Sequence, residues 1–224
     1  MEDASSMSYV APNGEKVPID DVERAARLAE SGTRDRKEYL GILMTLAYRC
    51  FEMGMYAGAQ GYFEKIFDLT DSVNAKAFCL LSIGQVKEQQ EDYESALSWY
   101  RKGLSMTPGS DREIRYFLHN NLGYCLNRFE RHAEAMRYCL AAIEIIPRRF
   151  NAYKNLGVAL EGLGEYTEAV KSYINASLLN PEDPRSLRHV DSLLASHPKV
   201  REEIPDLDRH LADCRKAAAE ISWQ

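Results

Sequence analysis

Residues 116–147 read YFLHNNLGYCLNRFERHAEAMRYCLAAIEIIP, and residues 150–181 read FNAYKNLGVALEGLGEYTEAVKSYINASLLNP. At an offset of 34 residues, Leu122-Gly123 falls on Leu156-Gly157, Ala135 on Ala169, Cys139 on Tyr173, Ala142 on Ala176 and Pro147 on Pro181. Working outward, residues 77–108 supply Ile83-Gly84, Tyr93, Ala96, Tyr100, Gly103 and Pro108 at the same relative places. A weaker copy begins at Leu40, with Leu46-Ala47, Tyr56, Ala59, Phe63 and Ile66, and with Asp71 where proline is expected. Self-similarity at this period marks a repeat architecture.

The physical chemistry of the pattern specifies helix pairs. Gly84, Gly123 and Gly157 fall inside helical stretches, where glycine costs about 1 kcal/mol relative to alanine. Three copies at one phase imply close approach of a neighbouring backbone or ring. Ala96, Ala135 and Ala169 are small at a contact point of the second helix for the same reason. Pro108, Pro147 and Pro181 each end a second helix, because proline cannot continue one. The turns between paired helices fall at Gly54, Glu91-Asp92, Glu130-Arg131 and Gly164-Glu165. One pair cannot bury its apolar stripe alone, so each must stack on the next.

On these residues the chain resembles the tetratricopeptide repeat, in which helices A and B pair within 34 residues. The resemblance runs from Leu40 to Pro181. It implies an all-α fold: a right-handed α-solenoid of antiparallel helix pairs, about four units, with flanking capping helices. The expected repeats span 40–76, 77–115, 116–149 and 150–182. The steps between copies are 37, 39 and 34 residues, and the insertion Gly109–Arg115 is expected to extend the third helix A backwards, with Ser110 or Asp111 as its N-cap.

The flanks read differently. Residues 1–19 lack helical period and contain two prolines and Asn13-Gly14, the mark of an extended or disordered arm. Residues 20–39 form a helical lead-in, opened by Asp20-Asp21-Val22-Glu23 in capping-box form and interrupted at Ser31-Gly32. Residues 183–224 hold two capping helices. The first starts at Asp183-Pro184 with Leu187, Val190, Leu193 and Leu194. The second carries Leu207, Leu211, Cys214, Ala218 and Ile221. A homo-oligomer contact through that last helix is the sharper alternative to a cap.

Composition narrows the function classes. A net charge of −6 gives no general attraction to nucleic acid or to anionic lipid. No apolar run approaches the roughly 20 residues that span a bilayer, and Met1–Ser8 lacks the order of a signal peptide. The five cysteines, at 50, 79, 125, 139 and 214, show no CxxC spacing and read as reduced, mostly buried residues of a cytoplasmic protein. Walker, dinucleotide, HExxH and GxSxG motifs are missing. His119 and Cys125, six residues apart, fall on opposite faces of one helix and make no catalytic pair. The expectation is a non-enzyme with no metal, cofactor or catalytic residue.

The resemblance also implies where a partner sits. In the family the A helices line a concave groove, and its positions map here onto Met44, Tyr48 and Phe51; Phe78, Leu81, Gln85 and Glu88; Phe117, Asn120, Tyr124 and Asn127; and Asn151, Lys154, Val158 and Glu161. The amino-terminal half of this groove is aromatic and aliphatic, the other half amide and charge. Each ring has two uses, packing against the next helix or anchoring a partner. Repeats that hold the carboxy-terminal tails of the large heat-shock chaperones use two Lys, two Asn and an Arg at set positions. Here Asn121 matches the middle Asn, while Leu81, Gln85, Asn151 and Asn155 stand where the others belong, which argues against that clamp. The reading is an interaction scaffold for a protein or peptide segment. The alternatives are a chaperone for an aggregation-prone client and a regulatory subunit of a separate enzyme. The apolar islands Tyr9–Pro12 and Val17–Ile19 of the arm add an intramolecular occupant for the groove to the choices.

Overall fold

The computed structural model describes residues 8–10, 16–18, 36–106 and 111–221. The chain divides into two compact units, Met1–Met106 and Thr107–Gln224, and the division falls just before the insertion at 109–115. In the arm, β1 (Ser8–Val10) and β2 (Lys16–Pro18) pair antiparallel with Tyr9 opposite Val17. The lead-in helix expected over 20–31 lies outside the described residues, as do the side chains of the arm.

Unit 1 holds two helix pairs, α1 (Arg36–Glu52) with α2 (Tyr56–Leu69) and α3 (Val73–Gln89) with α4 (Tyr93–Ser105). Unit 2 holds α5 (Arg112–Arg128) with α6 (His132–Ile145), α7 (Phe150–Gly162) with α8 (Tyr166–Leu179), then α9 (Arg185–Ser196), the short α10 (Val200–Glu203) and α11 (Leu207–Ile221). Local chemistry sets these ends. Ser72 caps α3 by accepting from the Ala75 amide, and Asp111 caps α5 by accepting from the amides of Glu113 and Ile114. α6 and α8 stop at Ile145 and Leu179, two residues before Pro147 and Pro181.

The four A-to-B turns are one structure repeated. Gly54, Glu91, Glu130 and Gly164 take positive φ of 72°, 59°, 56° and 79°. After each, an amide reaches five residues back: Met55 to Cys50, Asp92 to Lys87, Arg131 to Leu126, Glu165 to Leu160, all at 2.8–3.0 Å. This is the closing bond of a helix that ends in a left-handed residue.

Each unit has its own core. In unit 1, Ile42, Leu43 and Leu46 of α1 meet Ala59, Phe63 and Ile66 of α2 and Cys79, Ile83 and Val86 of α3. In unit 2, Leu156, Val170, Tyr173 and Ile174 meet Val190, Leu193 and Leu194 of α9 and Leu207, Leu211 and Cys214 of α11. The apolar stripe of the last helix is therefore covered by α8 and α9, and its outward residues, among them Asp208, Arg209, Lys216 and Glu220, are exposed and charged. The apolar stripe of the last helix thus packs within unit 2, the place expected of a capping helix.

The mid-helix glycines have the expected cause. A Cβ on Gly84 would stand 2.3 Å from the Tyr100 ring, and one on Gly157 would stand 2.5 Å from the Tyr173 ring. One on Gly123 would stand 2.5 Å from Cys139 Sγ. Each ring that fills such a notch sends its hydroxyl to a carboxylate on helix A: Tyr100 to Glu88 Oε2 and Tyr173 to Glu161 Oε2, both at 2.8 Å. Burial raises the pKa of Glu88 against the lowering effect of that hydrogen bond, and burial with the Glu161 contact raises that of Tyr173.

Candidate partner-binding cleft

Unit 2 contains a cleft of about 740 Å³. Its walls are Tyr124, Asn127 and Arg128 of α5, Lys154, Asn155 and Val158 of α7, and Arg185, Arg188, His189 and Ser192 of α9, with Glu130 at the turn. These helices present the same face because they share one phase. Lys154 and Arg188 are 34 residues apart, as are Asn155 and His189, and Val158 and Ser192. α9 is thus a fifth helix A in register, although its unit has no full partner helix B.

The floor is an amide network. The buried Asn120 donates to Asn121 Oδ1 at 2.9 Å, and Asn155 donates to Asn120 Oδ1 at 3.1 Å. Asn127 donates to the Asn155 carbonyl at 2.8 Å and sits 3.2 Å from His132 Nδ1. Asn127 is free of a tyrosine because the third repeat breaks the pattern of its neighbours. Cys139 stands where Tyr100 and Tyr173 stand, and Asn127 stands where Glu88 and Glu161 stand.

The walls are cationic. Arg185 forms a bidentate pair with Asp183, Nε to Oδ1 at 2.8 Å and Nη2 to Oδ2 at 2.7 Å. That pairing holds the Asp183 carboxyl at a pKa of about 2. Lys154 Nζ lies 3.7 Å from the same carboxylate. Burial pushes the Lys154 pKa down, the Arg185 charge adds to the fall, and Asp183 opposes it. His189 stacks on the Tyr173 ring at 4.7 Å, with Nδ1 3.4 Å from Glu161 Oε2.

Of the expected groove residues, the cleft brings together Tyr124, Asn127, Lys154 and Val158. Asn151 is half-buried outside the lining. Two others serve packing instead. Asn120 is committed to the floor network, and Leu81 in unit 1 is buried, because each faces inward from its helix. Phe117 lies edge-on to Tyr116 at 5.3 Å and under the Arg149 guanidinium at 4.8 Å. In unit 1, Met44, Phe51 and Phe78 are half-buried against the core, and so is Gln85 along α3. Tyr48 is 45% exposed, 6.0 Å from the Phe63 ring and 6.3 Å from that of Phe78. The lining residues missed by the sequence reading are Arg128, Glu130 and Asn155, which lie off the mapped groove positions, and Arg185, Arg188, His189 and Ser192, since the helix that carries these four was read as a cap. The 34-residue phase of Pro184 with Phe150 was the signal for those four.

The remaining chemistry is spare. Cys79, Cys125, Cys139 and Cys214 are buried, and burial lifts the thiol pKa of Cys79 and Cys139 to about 12. Among the described residues no group of three or more His, Cys, Asp or Glu is placed to hold a metal ion, and no helix is long and apolar enough to cross a membrane.

Comparison with known proteins places these features. Family models described as Tetratricopeptide repeat match residues 79–110, 118–149 and 152–185. Superkiller complex protein 3 of Homo sapiens is 30% identical over 148 residues, 65% of this chain and 9% of that protein. The Hsp70/Hsp90 co-chaperone cns1 of Schizosaccharomyces pombe is 24% identical over 128 residues, 57% of this chain and 34% of its own length. The chain therefore spans only a minor part of these relatives. Among solved structures, MamA from Desulfovibrio magneticus RS-1 superposes with a TM-score of 0.62 at 17% identity, covering 82% of this chain and 97% of that one. The first repeat domain of Spaghetti (RPAP3), bound to the HSP90 peptide SRMEEVD, gives 0.50 at 23% identity over 55% of this chain and 94% of that one.

Proposed function

From the premise that this chain is a tetratricopeptide repeat protein, we propose that it is a non-enzymatic scaffold that holds an acidic segment of a partner protein in the cleft of unit 2. The observation that carries this reading is the convergence of Arg128, Lys154, Arg185 and Arg188 on one concavity, beside the apolar surface of Tyr124 and Val158 and the amide of Asn127. Cations confer electrostatic complementarity and a fast encounter with an acidic segment, and the ring and amide hold its backbone in place. The peptide of the Spaghetti complex, SRMEEVD, is itself acidic.

The test is fluorescence anisotropy with labelled pools of short acidic and short basic peptides. The acidic pool binds more tightly, and the exposed Arg188→Glu change weakens it by about tenfold while leaving the melting temperature in place. Equal binding of the two pools would sink the proposal.

A second reading, a client chaperone, draws on unit 1. Tyr48, Met53, Met55 and Val73 all stand exposed there, a number of apolar side chains that suits an aggregation-prone segment. Suppression of light scattering by a heat-denatured client, abolished in a Met53→Ser, Met55→Ser variant, supports it. Undiminished scattering rejects it.

A further inference from the structure

His189 is the one histidine among the described residues that line the cleft, and histidine is the side chain whose ordinary charge change falls between about pH 5 and 8. Its ring is held on two sides. The Tyr173 ring stacks on one face, with centroids 4.7 Å apart and planes 13° apart. Glu161 Oε2 stands 3.4 Å from Nδ1, and the same oxygen accepts the Tyr173 hydroxyl at 2.8 Å. The His189 side chain is still 42% exposed, and the cleft is where it is exposed. These contacts decide which nitrogen carries the proton. A lone pair on Nδ1 would face a carboxylate oxygen, so the neutral ring keeps its proton on Nδ1 and leaves Nε2 an acceptor. A second proton turns Nε2 into a donor and leaves the Nδ1 contact in place.

The charges around the ring act on that proton in both directions. From α7, Glu161 favours it, and Lys154 on the cleft wall opposes it. From α8, Tyr173 presents a neutral ring, because burial and Glu161 hold its hydroxyl protonated. On α9 itself Arg188 opposes the proton, as does Arg185 in its pair with Asp183. Asp191, two residues on, pairs with Arg215 of α11 at 3.0 Å. Across the cleft α5 brings Arg128, with Glu130 at the turn. A partner carboxylate that arrives at Nε2 favours the proton, and by reciprocity the proton favours the partner.

We infer that His189 meets the bound segment through Nε2, and that its protonation tightens the hold on a partner carboxylate, so that capture strengthens as the pH falls. The inference rests on the acidic-segment reading above. Ordinary partner carboxylates stay ionised above about pH 5.5, so the change belongs to the cleft and not to its occupant. Glu161 gives the switch its direction. It fixes the tautomer of the neutral ring, and it takes the Nδ1 side in both charge states, so the added proton is spent on the edge that the partner meets. The Tyr173 stack keeps the plane of the ring in one orientation, so the edge changes its chemistry without changing its place.

The experiment uses the full chain and the labelled acidic pool, its peptides free of histidine, beside the basic pool and an uncharged serine-rich pool. From about pH 8 to about pH 5.5 the acidic pool gains about fivefold in affinity, the size of one partly exposed charge contact. The serine-rich pool gains nothing. His189→Gln flattens the profile, and the acidic pool still outbinds the basic pool there, because the arginines are untouched. Long-range nitrogen NMR spectra of the unaltered chain give a second readout: the neutral His189 ring carries its proton on Nδ1, and the acidic pool raises the pH at which the ring titrates. A flat profile in the unaltered chain, or a gain that survives in His189→Gln, overturns the inference and leaves the acidic-segment reading standing. A His189 midpoint that the acidic pool does not move overturns it as well. Equal binding of acidic and basic pools at every pH overturns both.

Discussion

Glu88 and Asn127 hold equivalent places in successive repeats, and their fates differ. Glu88 receives the hydroxyl of Tyr100, whose ring fills the notch above Gly84. Asn127 has no such ring, because Cys139 occupies the notch above Gly123, and its amide turns to the Asn155 carbonyl and His132. The fourth repeat restores the first arrangement with Gly157, Tyr173 and Glu161. A position that serves packing in two repeats lines the cleft in the third. A departure from the repeat pattern is therefore as informative as the pattern.

The comparison breaks most visibly at the glycines. Gly157→Leu forces side-chain volume into the Tyr173 ring and lowers stability by about 3 kcal/mol in a chemical denaturation series. Gly123→Ala meets Cys139 Sγ instead, and the further change Cys139→Ala restores much of the loss. No recovery in the double variant would mean that the third repeat is held by something other than that contact.

The next effect belongs to the cleft. Asp183 has a folded pKa of about 2, below its ordinary value of 3.8, so the stability it contributes is complete above about pH 4 and is lost as the pH falls through 2. Asp183→Asn removes up to about 2 kcal/mol near neutral pH and flattens the acid limb of the stability curve over that window. An unchanged acid limb would separate Asp183 from the Arg185 fork in solution.

Smaller effects come from the locks. Tyr100→Phe and Tyr173→Phe each cost about 1 kcal/mol by leaving a carboxylate without its donor. Tyr124→Ala, in the repeat without a lock, reduces capture of the acidic peptide pool more than it lowers the melting temperature. If it chiefly unfolds the chain, Tyr124 is a core residue and the cleft map fails.

The helix pairs, their turns and the crowding above Gly84, Gly123 and Gly157 were legible because close packing leaves a periodic mark on the sequence. The cleft was legible only in part. Tyr124, Asn127, Lys154 and Val158 stand at the groove positions that the family resemblance implied, which recur at one helical phase. Leu81 and Asn120 share that phase and are buried, since one position in a helix faces the opening or the core according to what its neighbour helix covers. Arg185, Arg188 and His189 were hidden because the Leu-Gly step and the small residues that advertise a repeat are missing from α9. What persists is the 34-residue spacing of its exposed face, and charged residues on an exposed face carry no packing signature.

The central claim is that the partner sits in unit 2 and not on the aromatic surface of unit 1. Amide chemical-shift mapping with the acidic peptide pool tests it most directly. The account predicts shifts concentrated at Tyr124, Asn127, Lys154, Arg188 and Ser192, with Tyr48, Met53, Met55 and Phe78 unmoved. Shifts confined to Tyr48, Met53, Met55 and Phe78 would contradict it.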